Sequence, residues 1–210
     1  MISVLLPSRK RPDLLIRCIK SIVDTADSKD SFEICLRIHR DDSETIARLP
    51  YILSLCTVRV VIGLQHRGYT DLCWFYQEAA AISRGDWIWV MNDDVVSLTK
   101  GWDTMVHSQP NNVIVMPERH QLGGTLYMND GHNPFMYLPN KSWEKYGMKR
   151  FTTPFDLSLW QLFRNNGWQT VFIPTEVFHD WNPDKNTEER KTEISTNFDN
   201  DPHEHYMENL

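Results

Sequence analysis

The sequence predicts an α/β fold in which helices cover a mostly parallel central sheet within a single domain. Three observations support this prediction. Segments with the period of strands alternate with segments of helical period along the first half of the chain. The segment WIWVMNDDVV (87–96) contains a continuous apolar run, which is typical of a strand buried on both faces. The 210 residues suffice for one sizeable core, and no repeat or linker divides them.

The first half of the chain reads as strand, helix, strand, strand, helix and strand. The segment ISVLL (2–6) is a short apolar strand that ends at Pro7, and Pro12 suits the first position of an amphipathic helix. The elements expected next are strands at 32–38 and 58–63, a helix at 70–83 and the strand that contains WIWVMNDDVV.

The second half is less regular but continues the alternation. Strands are expected at 113–117, 123–128, 135–139 and 168–174, with helices at 141–147 and 155–167. From Asn182 onward the sequence is polar and has few residues able to pack. We therefore expect a domain over 1–181 and a tail over 182–210 that is mobile or lies over the domain.

Composition and charge narrow the class of protein. The hydrophobic fraction of 41% is that of a globular chain, and the formal net charge of −6 offers no overall basic surface for nucleic acid. The four cysteines lack zinc-binding spacing, so we expect buried free thiols in a reducing compartment rather than disulfides. No segment resembles a signal peptide or a membrane span, and we expect a soluble, cytoplasmic protein.

Polar clusters follow three of the expected strands, at 9–11, 41–42 and 92–94. Because the carboxyl ends of parallel strands meet at one edge of a sheet, these clusters should surround one crevice. Basic residues beside carboxylates suit a phosphate-bearing ligand bridged by a divalent metal ion such as Mg²⁺ or Mn²⁺. The glycine patterns of dinucleotide-binding and P-loop sites do not follow the first strand, so both of these sites are excluded.

Each cluster also has a structural explanation. Asp93 and Asp94 suit either a solvated turn or a site that holds a cation, because adjacent carboxylates repel each other. The basic segment KRP is typical of a solubilising turn as well as of an anion site. His179, near the end of an apolar segment, is either a structural histidine or a ligand.

These segments resemble nucleotide-sugar-dependent glycosyltransferases of the GT-A fold, in particular the family 2 type. ISVLLPSRKRPDLLIRCIKSI is similar to the opening strand, turn and first helix of that family, and RDDSE to its second-strand acid motif. GYTDLCWFYQEAAAISRGDWIWVMNDDVV is similar to the following helix and the strand that carries the metal-binding DxD motif. GHN (131–133) and FHD (178–180) resemble parts of a small bacterial and phage-type subgroup.

The resemblance covers about residues 1–181 and implies a nucleotide-binding half (1–96) and an acceptor half (97–181). Asp94, at the last DxD position, would bind Mn²⁺ or Mg²⁺, and His179 matches the histidine that closes the metal site. The cation and a diphosphate would neutralise the repulsion between the two adjacent carboxylates. The resemblance implies that the nucleotide sugar is bound by Pro7, Ser8, Arg9, Asp41, Asp42, Tyr69, Asp71, Asn92 and Asp93, with Asp42, alone or with Asp41, at the base.

The sequence departs from the family pattern at two places. Asn92 replaces the usual first Asp of DxD, which removes a charge. The Glu-Asp pair that supplies the base in inverting members is absent, and Asp156 is the only acid within 153–161. Asp156 is therefore either the general base or the N-cap of the helix that follows Pro154.

The sequence and the resemblance together predict a metal-dependent glycosyltransferase that uses a nucleotide diphosphate sugar, with UDP as the expected nucleotide and inversion as the expected outcome. The acceptor is a glycan, a protein or a modified DNA base. One alternative is a catalytically inactive GT-A-like module that binds nucleotide or glycan, and a third is a nucleotidyltransferase. The half in which the acceptor subsite would form contains Trp102, Tyr127, His132, Asn133, Phe135 and Trp143, and the aromatic residues among them suit either the core or stacking on an acceptor.

Overall fold

The computed structural model describes residues 1–64, 72–122, 125–128, 135–146 and 155–180, without the side chains of 144–146 and 155–158. In chain order the elements are β1 (Ile2–Ser8), α1 (Pro12–Thr25), β2 (Phe32–His39), α2 (Ser43–Leu55), β3 (Val58–Gly63), α3 (Leu72–Ala80), β4 (Trp87–Val90), β5 (Val95–Ser97), α4 (Trp102–His107), β6 (Val113–Leu122), β7 (Thr125–Met128), β8 (Tyr137–Pro139), α5 (Asn140–Tyr146), α6 (Phe155–Asn165) and β9 (Gln169–His179). No helix in this described part of the chain is long and apolar enough to cross a bilayer. The expected tail, 182–210, lies outside the described residues.

All nine described strands belong to one sheet. Its order is β3-β2-β1-β4-β8-β6-β9-β5, with β7 added to the side of β6. Strands β1 to β4, β6 and β9 point in one direction, and β5, β7 and β8 point in the other. The prediction of a single α/β domain around a mostly parallel sheet is therefore confirmed.

The core lies on both sides of this sheet because side chains alternate along each buried strand. On β1, Val4 and Leu6 pack with the buried face of α1, whereas Leu5 packs with α3 and α6 on the other side. Trp89 of β4 fills the first of these layers, and its ring lies 4.6 Å from those of Trp102 and Tyr137. Helices on both faces explain why the central strands read as unbroken apolar runs.

Three elements differ from the expectation, and one of them, the short helix α4 (Trp102–His107), was not predicted. Helix α2 was not predicted, because Pro50 interrupts its helical pattern and only Thr45 and Ile52 among its residues are buried. The segment 87–96 forms two strands instead of one: β4 ends at Val90, and the chain then turns before β5. The turn between them contains the three polar residues 92–94.

The strand register brings the polar clusters to one edge of the sheet, as expected. Leu5 lies opposite Cys35 on β2 and Val90 on β4, and all three strands run in parallel. The residues that follow these strands therefore emerge side by side. We call this edge of the sheet, which carries residues 9–11, 41–42 and 92–94, the carboxyl edge.

Asp42 fastens two loops at the carboxyl edge. Its side chain is 1% exposed and accepts hydrogen bonds from the backbone N–H of Thr45 (3.0 Å) and of Lys10 (2.6 Å). The first bond caps α2, and the second holds the turn between β1 and α1, where Lys10 has a positive φ of 54°. Asp42 therefore connects the ends of β1 and β2.

At the opposite edge of the sheet, Glu33 is the centre of a buried polar network. Its carboxylate accepts from the Ser3 hydroxyl (2.7 Å), Arg59 Nε (2.6 Å) and the Arg84 backbone N–H (2.6 Å). Burial alone would raise the pKa of Glu33, but these hydrogen bonds and the charge of Arg59 lower it below its ordinary value. The network therefore stabilises the ionised form.

Replacing Asp42 with Ala should lower the free energy of unfolding by about 2–3 kcal/mol, because the Thr45 and Lys10 backbone N–H groups lose their acceptor. Asp41→Ala is the matched control: Asp41 is exposed, and its removal should cost no more than about 0.5 kcal/mol. Urea unfolding of both variants measures this difference. Equal losses for the two variants would contradict the structural role of Asp42.

Replacing Glu33 with Gln should destabilise the protein by about 1.5–3 kcal/mol at neutral pH. Because the pKa of Glu33 is lowered in the folded state, its contribution is present above the unfolded pKa of about 4.3 and is lost as the pH falls through the folded pKa. The difference between wild type and variant should therefore shrink at acidic pH. Urea unfolding at neutral pH and at about pH 3.5 tests this, and a gap that is independent of pH would rule it out.

Candidate functional site

Asp93 and Asp94 lie in the turn between β4 and β5, which the Val95 N–H closes by donating to the Asn92 carbonyl oxygen (3.3 Å). Both acids are buried, with exposed fractions of 1% and 5%. The hypothesis of a solvated turn is therefore wrong. Two adjacent carboxylates at a buried position require positive charge or hydrogen-bond donors nearby.

Arg11 and Ser8 supply these partners from the β1–α1 region. The guanidinium of Arg11 places one nitrogen 2.5 Å from Asp93 Oδ1 and the other 3.2 Å from Asp94 Oδ2. The Ser8 hydroxyl donates to Asp93 Oδ2 at 2.7 Å. A guanidinium of the chain itself thus bridges the adjacent acids, which the sequence did not predict for Arg11 individually.

The two carboxylates have different electrostatic environments. Burial, with the charge of Asp94, raises the pKa of Asp93 to about 6 despite Arg11 and Ser8. Burial would also raise the pKa of Asp94, but the neighbouring His179 and Arg11 outweigh it and lower that pKa. Asp94 is therefore the carboxylate that stays ionised over the wider pH range.

His179 reaches this turn from the end of β9, which pairs with β5 so that His179 lies opposite Val95. Its Nε2 atom is 3.3 Å from Asp94 Oδ1. The next residue, Asp180, donates its backbone N–H to the Asp94 carbonyl oxygen at 2.9 Å. The structure therefore brings together the two residues for which the sequence predicted a shared metal site.

Asp94 Oδ1 and His179 Nε2, which face each other, are suitable ligands for a divalent cation. Asp94 Oδ1 is buried and accepts no well-aligned hydrogen bond from the described residues. Carboxylate oxygen and imidazole nitrogen are both ligands of Mn²⁺. Within the described residues no three acidic, histidine or cysteine side chains converge on one point. The pair thus suits an ion that keeps few protein ligands and completes its shell with substrate phosphates, as Mg²⁺ and Mn²⁺ commonly do.

Asn92, at the first position of the motif, is held by Tyr76, a residue of the helix expected at 70–83 that the sequence did not single out. The Tyr76 hydroxyl lies 2.6 Å from Asn92 Oδ1 and 3.1 Å from the Met91 carbonyl oxygen. Because its Oδ1 is engaged, Asn92 presents its NH₂ group for any further contact. A neutral amide at this position also avoids a third negative charge beside the two buried carboxylates.

The other predicted nucleotide residues are distributed unevenly. Arg9 lies 3.5 Å from the exposed carboxylate of Asp41, and Pro7 is half-buried at the end of β1. Asp42 is engaged by backbone N–H groups, as described above. Tyr69 and Asp71 lie outside the described residues, as does the side chain of Asp156, whose backbone is in α6. The roles predicted for these residues stay predictions.

The expected acceptor aromatics divide into core and surface residues. Trp102, Phe135 and Trp143 are at most 2% exposed, so the structure assigns them to the core. Tyr127 on β7 is 49% exposed. The remaining expected residues, His132 and Asn133, lie outside the described part of the chain.

His120 of β6 is a neighbour of the site that the sequence did not indicate. Its ring centroid is 5.9 Å from that of His179 and 5.7 Å from that of Phe135, which also contacts His179 edge-on. Burial and the charge of His179 lower the pKa of His120 to about 4, so this imidazole is neutral at physiological pH. No local motif marks His120, because its position depends on the pairing of β6 with β9.

Comparisons with known proteins find similarity in three dimensions only. No model of a protein family and no curated protein matches the chain. Residues 1–349 of TarS from S. aureus match with a TM-score of 0.69 at 8% identity, over 85% of this chain and 60% of that one. GalNAc-T7 matches with a TM-score of 0.70 at 13% identity, over 86% and 44% of the two chains.

A mannosyltransferase, PcManGT from Pyrobaculum calidifontis, matches with a TM-score of 0.63 at 11% identity, over 85% of this chain and 56% of that one. The present chain therefore spans 60% or less of the length of each of these three structures. Identities this low are evidence for a shared fold and not for a shared activity. Together with the sheet order and the helices on both faces, they show that this chain has a GT-A-like fold.

Proposed function

We propose that this chain transfers a glycosyl group from a nucleotide diphosphate sugar, with Mn²⁺ or Mg²⁺ held by Asp94 and His179. The observation that carries the proposal is the 3.3 Å approach of these two side chains at the carboxyl edge, beside the guanidinium of Arg11. The carboxylate and the imidazole suit a divalent metal ion, and the planar guanidinium beside them suits the oxygens of a diphosphate.

The solved structures of similar fold support the same ligand class. TarS was solved with UDP-GlcNAc and with UDP, GalNAc-T7 with UDP, GalNAc and Mn²⁺, and PcManGT with GDP-Man and Mn²⁺. These ligands are those of TarS, GalNAc-T7 and PcManGT themselves. For the present chain, these structures support a nucleoside diphosphate donor and a divalent cation, with either UDP or GDP as the nucleotide to test.

For the nucleotide itself, the geometry favours Asp41 over Asp42 as the acceptor of a base N–H. Both Asp42 oxygens already bind backbone N–H groups, whereas the Asp41 carboxylate is exposed and lies 3.5 Å from a guanidinium nitrogen of Arg9. In this proposal Arg9 and Pro7 form the wall beside the nucleotide, together with Tyr69 and Asp71 from the neighbouring loop. The Asn92 amide contacts the ribose or a water on the cation.

Transfer requires stabilisation of the leaving diphosphate and removal of a proton from the acceptor. The bound cation supplies the first by charge neutralisation. Asp156, on α6, is the candidate base for the second, which would make the reaction an inverting displacement. Asp93, Ser8 and Arg11 keep the turn that carries Asp94 in place, and the neutral His120 packs beside His179. Of the predicted acceptor aromatics that the structure describes, the half-exposed Tyr127 is the one available to a glycan, protein or DNA acceptor.

A second candidate function is a GT-A-like module that binds a nucleotide or glycan without transferring a sugar. Asn92 favours it, because it lowers the negative charge available to a cation, and so does the absence of a Glu-Asp pair around Asp156. Release of nucleoside diphosphate from UDP-sugars and GDP-mannose separates the two functions. Binding without release supports the module, and a nucleotidyltransferase would instead release pyrophosphate from a nucleoside triphosphate.

Replacing Asp94 with Ala should abolish the effect of Mn²⁺ on nucleotide binding, because the carboxylate that holds the cation is lost. Calorimetric titrations of UDP and GDP, with and without Mn²⁺, measure this effect. Wild type should bind at least one of the two more tightly with Mn²⁺. Asp86→Ala is the matched control, since it removes a carboxylate 86% exposed at the other end of β4 and should behave as wild type.

Two results would contradict the proposal. If neither nucleotide binds to the wild type under any condition, there is no donor site at the carboxyl edge. If Asp94→Ala retains the full Mn²⁺ effect while remaining folded, the cation is held elsewhere and the assignment of Asp94 is wrong.

A further inference from the structure

Arg11 is placed between the buried acids and the open side of the carboxyl edge. Its side chain is 32% exposed, whereas those of Asp93 and Asp94 are 1% and 6% exposed. The guanidinium touches Asp93 Oδ1 and Asp94 Oδ2, which leaves Asp94 Oδ1 to face His179. The Asp94 carboxylate therefore has the Arg11 guanidinium at Oδ2 and the proposed cation position at Oδ1.

The backbone of Arg11 is anchored, but its side chain is not part of that anchor. Arg11 is the N-cap residue of α1, makes no capping bond with its side chain, and accepts the Leu15 N–H with its carbonyl oxygen at 3.0 Å. Asp42 holds the preceding Lys10, and Pro12, the next residue, restricts the backbone conformation of Arg11 itself. The guanidinium can thus exchange partners by rotation of a long side chain, without movement of the fold.

Charge makes the guanidinium and a divalent cation competitors at Asp94. Two positive groups on the oxygens of one carboxylate repel each other, and burial of Asp94 weakens the screening of this repulsion. A diphosphate changes the balance because it brings negative charge and pairs of oxygens that suit a guanidinium fork. The guanidinium is then free to leave Asp94 for the phosphates.

We propose that Arg11 couples cation binding to diphosphate binding: it opposes the cation at Asp94 until a nucleoside diphosphate draws its guanidinium away. This inference rests on the proposed donor and cation site and adds a role for Arg11 that the metal ligands do not have. Coupling of this kind is reciprocal, so the cation and the nucleotide strengthen each other's binding by the same factor.

The test is a titration of Mn²⁺, followed by calorimetry and by the electron paramagnetic resonance of free Mn²⁺, with and without UDP or GDP. In wild type the nucleotide should tighten Mn²⁺ binding by about 5- to 150-fold, the usual range of such couplings. Arg11→Gln should bind Mn²⁺ alone more tightly than wild type does, and the nucleotide should add about tenfold less than in wild type.

Two further variants make the result specific to Arg11. Lys20→Gln removes a positive charge from an exposed position of the same helix, so its coupling should match that of wild type. Arg11→Lys keeps the charge, but an ammonium group cannot bridge two carboxylates or bind a phosphate through two parallel hydrogen bonds. The coupling between Mn²⁺ and nucleotide should therefore fall in this variant. Arg11→Lys decides the question if thermal unfolding shows that Arg11→Gln does not fold.

The outcomes separate this inference from the proposed function. If nucleotide tightens Mn²⁺ binding equally in wild type, Arg11→Gln and Arg11→Lys, the role of Arg11 is overturned and the metal-dependent donor site stands. If neither UDP nor GDP binds to wild type, both are overturned. Loss of coupling in Lys20→Gln as well would show an effect of overall charge and would also overturn the role of Arg11.

Discussion

The burial of two adjacent carboxylates at Asp93 and Asp94 is the constraint on which the carboxyl edge depends. Removing such charges from water costs several kcal/mol unless partners surround them. Arg11 and Ser8 provide these partners and so tie the β1–α1 turn to the β4–β5 turn. Asp42 makes a second tie, from the start of α2 to the same β1–α1 turn. Two acidic groups thus fasten three loops, and the edge is preorganised before any ligand arrives.

The second half of the chain completes this edge through strand pairing. β9 runs beside both β5 and β6, which places His179 against Asp94 and near His120. The sheet therefore joins residues that are 85 positions apart into one pair of facing donors. In our proposal this pair would bind a cation with its ligands already placed by the sheet, which is the advantage of building a site on strand ends.

Acids of the same type have separate roles at this edge because their burial differs. Asp42 has its two oxygens bound to backbone N–H groups and serves the fold. Asp93 is enclosed by Arg11 and Ser8 and holds its turn. Asp41 is exposed, and Asp94 has an oxygen 3.3 Å from His179 Nε2, so these two are the acids that our proposal assigns to a ligand. At this edge the burial and the bonding partners of each acid, rather than its residue type, distinguish the acids that stabilise the fold from those that our proposal assigns to a ligand.

The sequence by itself determined the fold class, most strands, and the meeting of the three polar clusters, because apolar periodicity and the parallel direction of strands are local or near-local properties. It missed α2, whose pattern Pro50 interrupts, and the six-residue helix α4. Only the tertiary structure decided that the guanidinium of Arg11 bridges Asp93 and Asp94, that Tyr76 holds Asn92, and that His120 adjoins His179. These contacts depend on which strands are neighbours and on which side chains lose water, and neither is encoded within any single segment.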